Sequence, residues 1–100
     1  MMTPENTMAG MDELVRIAGE GGYQQGREPD NADRAAIAAQ VLCQFAHASG
    51  LEKSGGSAET MLVDLLANLM HLSDRLETQG VACLLNVAAM HHDDEVRDPG

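Results

Sequence analysis

The longest amphipathic pattern in the chain runs from Ser57 to Gly80. Leucines fall at 62, 65, 69, 72 and 76, in alternating steps of three and four, which places them on one side of an α-helix. Met61, Leu66 and Met70 widen that stripe, while Thr60, Asp64, Asn68, His71, Arg75 and Thr78 fall opposite. Ser57 is the expected N-cap, because its hydroxyl can accept from a backbone N–H that the first turn leaves unpaired. Glu59 sits in that turn, where the helix dipole favours negative charge. Gly80 is the expected stop, since glycine takes the left-handed conformation at no steric cost.

Three shorter patterns flank it. Met8, Met11, Leu14, Val15 and Ala18 share a face of a short helix from about Thr7 to Ala18, with Thr7 as a cap. Residues 19–29 hold four glycines and end in Pro29, a flexible connector from which Tyr23 packs back on the core. A second helix then runs to Ser49, capped by Asp30, with Asp33 at the third position of a short capping box. Its apolar face is Ile37, Ala38, Val41, Leu42, Phe45 and Ala48, and Gly50 ends it. The link 51–56 is of a length that joins antiparallel neighbours. Val81, Leu84, Leu85, Ala88 and Met90 to His92 predict a fourth helix folding back on the long one as an αα-hairpin.

The prediction is therefore a single all-α domain over 1–100, a small bundle of about four helices with a C-terminal αα-hairpin. Residues 1–6 and 94–100 are read as flexible ends, and 93–100 as a solvated acidic tail. The hairpin 57–92 is expected to pack on the 30–49 helix. Ile37, Val41, Phe45, Leu62, Leu65, Leu69, Leu72, Leu76, Leu84 and Leu85 are the expected core.

Charge narrows the function. Sixteen acidic residues stand against six Lys and Arg, for a net −10. That disfavours direct nucleic-acid binding, which needs cations to displace counterions, and disfavours anionic membranes. It favours a basic protein surface as partner, or simply serves solubility. No apolar run reaches membrane-spanning length and no signal peptide fits the N-terminus, so a cytoplasmic protein is expected. Cys43 and Cys83 lie in apolar runs and are expected to be small buried hydrophobes in a reducing compartment.

Candidate chemistry is sparse. In His91-His92-Asp93-Asp94-Glu95 the pairs His91 with Asp94 or Glu95, and His92 with Glu95, have helical ligand spacing. They lack a second set of ligands elsewhere. His47 and His71 are single mid-helix histidines, and no Cys-x-x-Cys occurs. The stretch from Asp64 to Asp74 superficially resembles a helix of the all-α nucleotide pyrophosphohydrolases, but their Glu-x-x-Glu and Glu-x-x-Asp magnesium sets do not appear. A non-enzyme without catalytic residues, metal or cofactor is the expectation.

The acidic residues Asp30, Asp33, Glu59, Asp64, Asp74 and Glu77 are the candidate partner-binding face. Carboxylates on adjacent helical turns lie roughly 5–6 Å apart, comparable to phosphates along a strand. A rigid acidic helix can therefore occupy a Lys/Arg channel meant for nucleic acid. Local pairs, Arg34 near Asp30 and Arg75 near His71, would instead make it an ordinary solvated face.

Over 58–95 the chain carries Leu-x-x-Leu-Leu-x-x-Leu-Met-His-Leu-x-Asp-Arg, then Gly80 and a short helix ending Met-His-His. This resembles small acidic helical proteins of phages and mobile elements, and size and acidity are similar to anti-CRISPR inhibitors of type I-F or I-E surveillance complexes. The resemblance implies a stoichiometric inhibitor in the bacterial host cytoplasm. It would dock on the complex's basic subunits and block target DNA binding or hybridisation. The alternatives are a helical protein-interaction module, homodimeric or antitoxin-like, and a degenerate metal-dependent nucleotide pyrophosphohydrolase.

Overall fold

Four α-helices follow one another in the computed structural model, which describes residues 10–24, 26–53 and 56–98. They are α1 (Met11–Ala18), α2 (Asn31–Ser49), α3 (Ala58–Leu76) and α4 (Val81–Arg97), with a 3-10 turn at Leu51–Lys53 between α2 and α3. No strand occurs among the described residues, so the all-α architecture holds. The expected Thr7 cap and the expected flexible ends at 1–6 and 99–100 lie outside the described residues.

The helix starts follow from local chemistry. Asp33 N donates to Asp30 Oδ1 at 2.9 Å and Asp30 N donates to Asp33 Oδ2 at 3.0 Å, closing the capping box that opens α2. Ser57 Oγ accepts from Thr60 N at 3.2 Å and opens α3. Gly50, at φ 79°, ends α2.

The stop of α3 differs from expectation. The helix ends at Leu76, and Glu77 rather than Gly80 takes the left-handed conformation, at φ 56°. Thr78 N donates to Ser73 O and Glu77 N to Asp74 O, each at 3.2 Å, which is a Schellman closure built without glycine. The buried Ser73 hydroxyl bonds the Thr78 hydroxyl beneath it and holds the turn. Gly80 is left as the residue that begins α4. That helix runs on to Arg97, so the expected acidic tail is helical through 93–97, with Arg97 bonded to Asp94 one turn back.

The core lies where α1, α2 and the first turns of α3 meet. Leu14, Ala39, Leu42, Ala46 and Met61 are buried together, ringed by Met11, Ile17, Cys43, Phe45, Leu51 and Leu65. On α2 the buried side is thus Ala36, Ala39, Leu42 and Ala46, close to half a turn round the helix from the expected Ile37–Val41–Phe45 stripe. Small side chains let α1 approach α2 closely, and Leu14 and Met61 fill the space above the alanines. Of the ten expected core residues none is buried: Ile37, Phe45 and Leu65 are half-buried and the other seven are exposed.

The C-terminal helical hairpin explains why. α3 and α4 are joined by the four-residue turn 77–80, but their arms splay, with an apolar groove between them. The far end of α4 returns to the start of α2. There Asn31 Nδ2 donates to Glu95 O at 3.0 Å, and Arg34 Nε lies 3.4 Å from Glu95 Oε2. The three long helices therefore form the sides of an open triangle. Arg34 pairs with Glu95 across that corner, rather than with Asp30 as its spacing suggested.

Candidate interaction surface

The apolar arc of α3 spans about 200° of helix surface, from Met61 and Leu72 through Leu69 and Leu62 to Met70 and Val63. One edge serves the chain's own core: Met61 is 1% exposed and Leu65 is half-buried. The other edge faces outward, with Leu69 46% and Leu76 64% exposed.

α4 is more extreme. Nine of the ten residues from Val81 to Met90 are apolar, with Asn86 the exception. A helix segment apolar on all sides belongs in an interior. Here every residue from Ala82 to Met90 is exposed, Leu84 by 41% and Met90 by 66%.

Between the two helices lies a groove of about 360 Å³, walled on the α3 side by Leu66, Leu69, Met70 and Leu76, and on the α4 side by Val81, Leu84, Leu85 and Ala88. Its polar atoms are at the closed end, where the Ser73 and Thr78 hydroxyls bond each other. The surface thus offers apolar contact without a free hydrogen-bonding group in its floor, which suits a packed side-chain ridge. The pattern of α4 is the signal in the sequence that could have found it.

The six candidate acidic residues do not form one face. Asp33 is 3% exposed, and its carboxylate is occupied. Arg27 reaches it with two N–H groups, at 2.7 and 2.9 Å, and Gly22 N and Asp30 N donate at 3.2 and 3.0 Å. The Arg27 hydrogen bond, then those from the Asp30 and Gly22 amides, hold the Asp33 carboxyl well below the usual carboxylate range. Asp30 is engaged as the cap. Glu59, Asp64, Asp74 and Glu77 are strung along α3 and its terminal turn, and none has a cation within 4 Å among the described residues.

The remaining candidates are dispersed. His47 is exposed and lies 2.8 Å from Glu52, and His71, His91 and His92 are exposed. Among the described residues no three His, Cys, Asp or Glu side chains come together as a metal site. Both cysteines are free; Cys43 packs against the core, whereas Cys83, expected to be buried, is exposed on α4. Tyr23 is likewise 63% exposed instead of packing back on the core. No described helix is long and apolar enough to cross a membrane. No protein-family model matches this chain, and neither a curated protein nor a solved structure matches it.

Proposed function

We propose that this chain is a non-enzymatic interaction module that docks another polypeptide on the α3–α4 face. The observation that carries the reading is the segment Val81–Met90, apolar on all sides yet exposed from Ala82 onward. The apolar face is larger and more continuous than the scattered exposed leucines of an ordinary surface. The test is affinity capture with the tagged intact chain and with its Leu69→Asp/Leu84→Asp variant. Polypeptides recovered by the parent, further copies of the chain included, should be lost from the variant. Equal recovery by both would refute the reading.

A second reading, inhibition of a nucleic-acid-handling complex of the anti-CRISPR kind in a bacterial cytoplasm, draws on a different observation. Arg16, Arg27, Arg34 and Arg97 all face carboxylates of their own chain, whereas Glu59, Asp64, Asp74 and Glu77 have no such partner among the described residues. An unpaired acidic edge favours a basic protein surface. Its test is the shift of target duplex DNA by a type I-F guide-RNA complex. The protein should abolish the shifted band and co-elute with the complex, and charge reversal at those four positions should restore the band.

A further inference from the structure

We infer that the occupant of the α3–α4 face is a second copy of this chain, the two copies related by a two-fold axis. α4 of each copy lies in the groove between α3 and α4 of the other. The inference rests on the interaction-module reading and names its partner.

Three observations lead to it. The first is area. Twelve Leu, Met and Val side chains on α3 and α4 are about half exposed. At roughly 120 Å² for a whole side chain of this kind, they leave on the order of 700 Å² of apolar surface in water. The largest patch on an ordinary monomer is about 300–600 Å², and a stable interface of standard size buries about 800 Å² per partner, somewhat over half of it apolar. The exposed face therefore exceeds an ordinary monomer patch and is enough to supply the apolar share of one side of a stable dimer.

The second is complementarity of shape within one chain. The splayed hairpin offers a groove that wants a helix, and α4 is a helix that wants burial on all sides. Both belong to the same 40-residue hairpin arm, so one two-fold operation satisfies each copy at once, as an isologous interface requires. The product is a core of four helices, α3 and α4 from each copy.

The third is charge. The chain carries −10, so two copies repel wherever their acidic surfaces meet. Residues 65–73 of α3 and 81–92 of α4 contain no Asp, Glu, Lys or Arg. That uncharged band lines most of the groove and is where a second acidic chain approaches at least electrostatic cost.

Sedimentation equilibrium of the full chain between about 1 and 100 μM, in low and high salt, tests this. The parent should show twice the 10.6 kDa chain mass, no less so in high salt. Leu69→Asp and Leu84→Asp should each weaken self-association by at least ~10-fold, and Val15→Asp, on exposed α1, should leave it unchanged. Far-UV circular dichroism accompanies each sample. If an Asp variant loses its helices, Leu84→Ala provides the reading, with helix content kept and dissociation shifted to higher concentration. A parent of 10.6 kDa throughout overturns the inference, as does a dimer that survives both Asp changes or a series of growing oligomers. If the parent is monomeric but capture of other polypeptides still depends on Leu69 and Leu84, the interaction reading stands with a different protein on the face. If capture is also indifferent to them, both fall.

Discussion

Arg27 and Asp33, six residues apart, close the loop between α1 and α2 with a two-pronged bond of 2.7 and 2.9 Å. The same Asp33 carboxylate accepts the amides of Gly22 and Asp30. One buried side chain thus caps α2, anchors the glycine-rich loop and gives Arg27 its counter-charge.

Asp33→Asn should lower the melting temperature by more than about 5 °C, because the neutral amide cannot accept all four bonds and leaves Arg27 only the more distant Asp30 carboxylate, 3.9 Å away, as counter-charge. The pH dependence has a definite sign. The folded carboxyl sits below its unfolded value of about 3.9, so its stabilisation is complete above that pH and is lost as pH falls from there toward the depressed folded value. Thermal melts from pH 7 to pH 2 should show this loss in the parent and a shallower one in Asp33→Asn. Parallel profiles would refute it.

Two glycines in the same loop should respond oppositely. A Cβ at Gly21 would stand 2.7 Å from Asp33 Oδ1, too close for the carboxylate to keep its four bonds. A Cβ at Gly19 would meet nothing nearer than 3.7 Å, at an ordinary φ of −89°. Urea titration should find Gly21→Ala clearly destabilised. Gly19→Ala should be neutral, or more stable by up to ~1 kcal/mol through a less flexible unfolded chain.

Met61→Ala should cost about 2–5 kcal/mol, since the side chain is 1% exposed and closes the core over Leu14, Leu42 and Ala46. Leu69→Ala, with its side chain half in water, should cost the single chain no more than about half as much. Equilibrium urea unfolding followed at 222 nm, with protein concentration varied, separates the two. The Met61 cost should persist at every concentration, whereas the Leu69 cost should grow with concentration as association is lost.

Glu77→Gly should stabilise the chain by roughly 1 kcal/mol, by removing the steric cost of a side chain at φ 56°. Ser73→Ala removes the hydroxyl that bonds Thr78 beneath the same turn and should act in the other direction. Denaturation midpoints that move the same way for both would contradict this account of the α3 stop.

Asn31→Ala should loosen the corner where α4 returns to α2, because the Asn31 amide donates to Glu95 O there. Faster hydrogen exchange of amides 93–97, with those of α1 and α2 unchanged, is the expected result. Uniform exchange across the chain would mean that the corner does not hold α4 on its own.

Helix content and helix starts are legible from the residues alone. Asp30 with Asp33, and Ser57 with the Thr60 amide, make bonds between positions three apart, and such bonds need no tertiary neighbour. The stop of α3 is less legible. Gly80 is the easy left-handed residue, but the Ser73–Thr78 hydroxyl contact makes the turn three residues earlier at the expense of Glu77. No single-residue preference encodes that pair.

By itself the sequence determined an all-helical chain, its cap residues and the leucine stripe from 62 to 76, because these depend on local hydrogen bonding and on a period of 3.6. Only the tertiary structure decided which apolar face is used. α2 carries two candidate faces, and the alanine side won because α1 can approach it more closely than the Ile37–Val41–Phe45 side. α3 carries an arc wide enough for two neighbours, and its own chain covers only the Met61–Leu65 edge. Apolar periodicity says that a face must be covered; whether the cover comes from the same chain depends on how the helices are directed in space, which a periodic pattern does not encode.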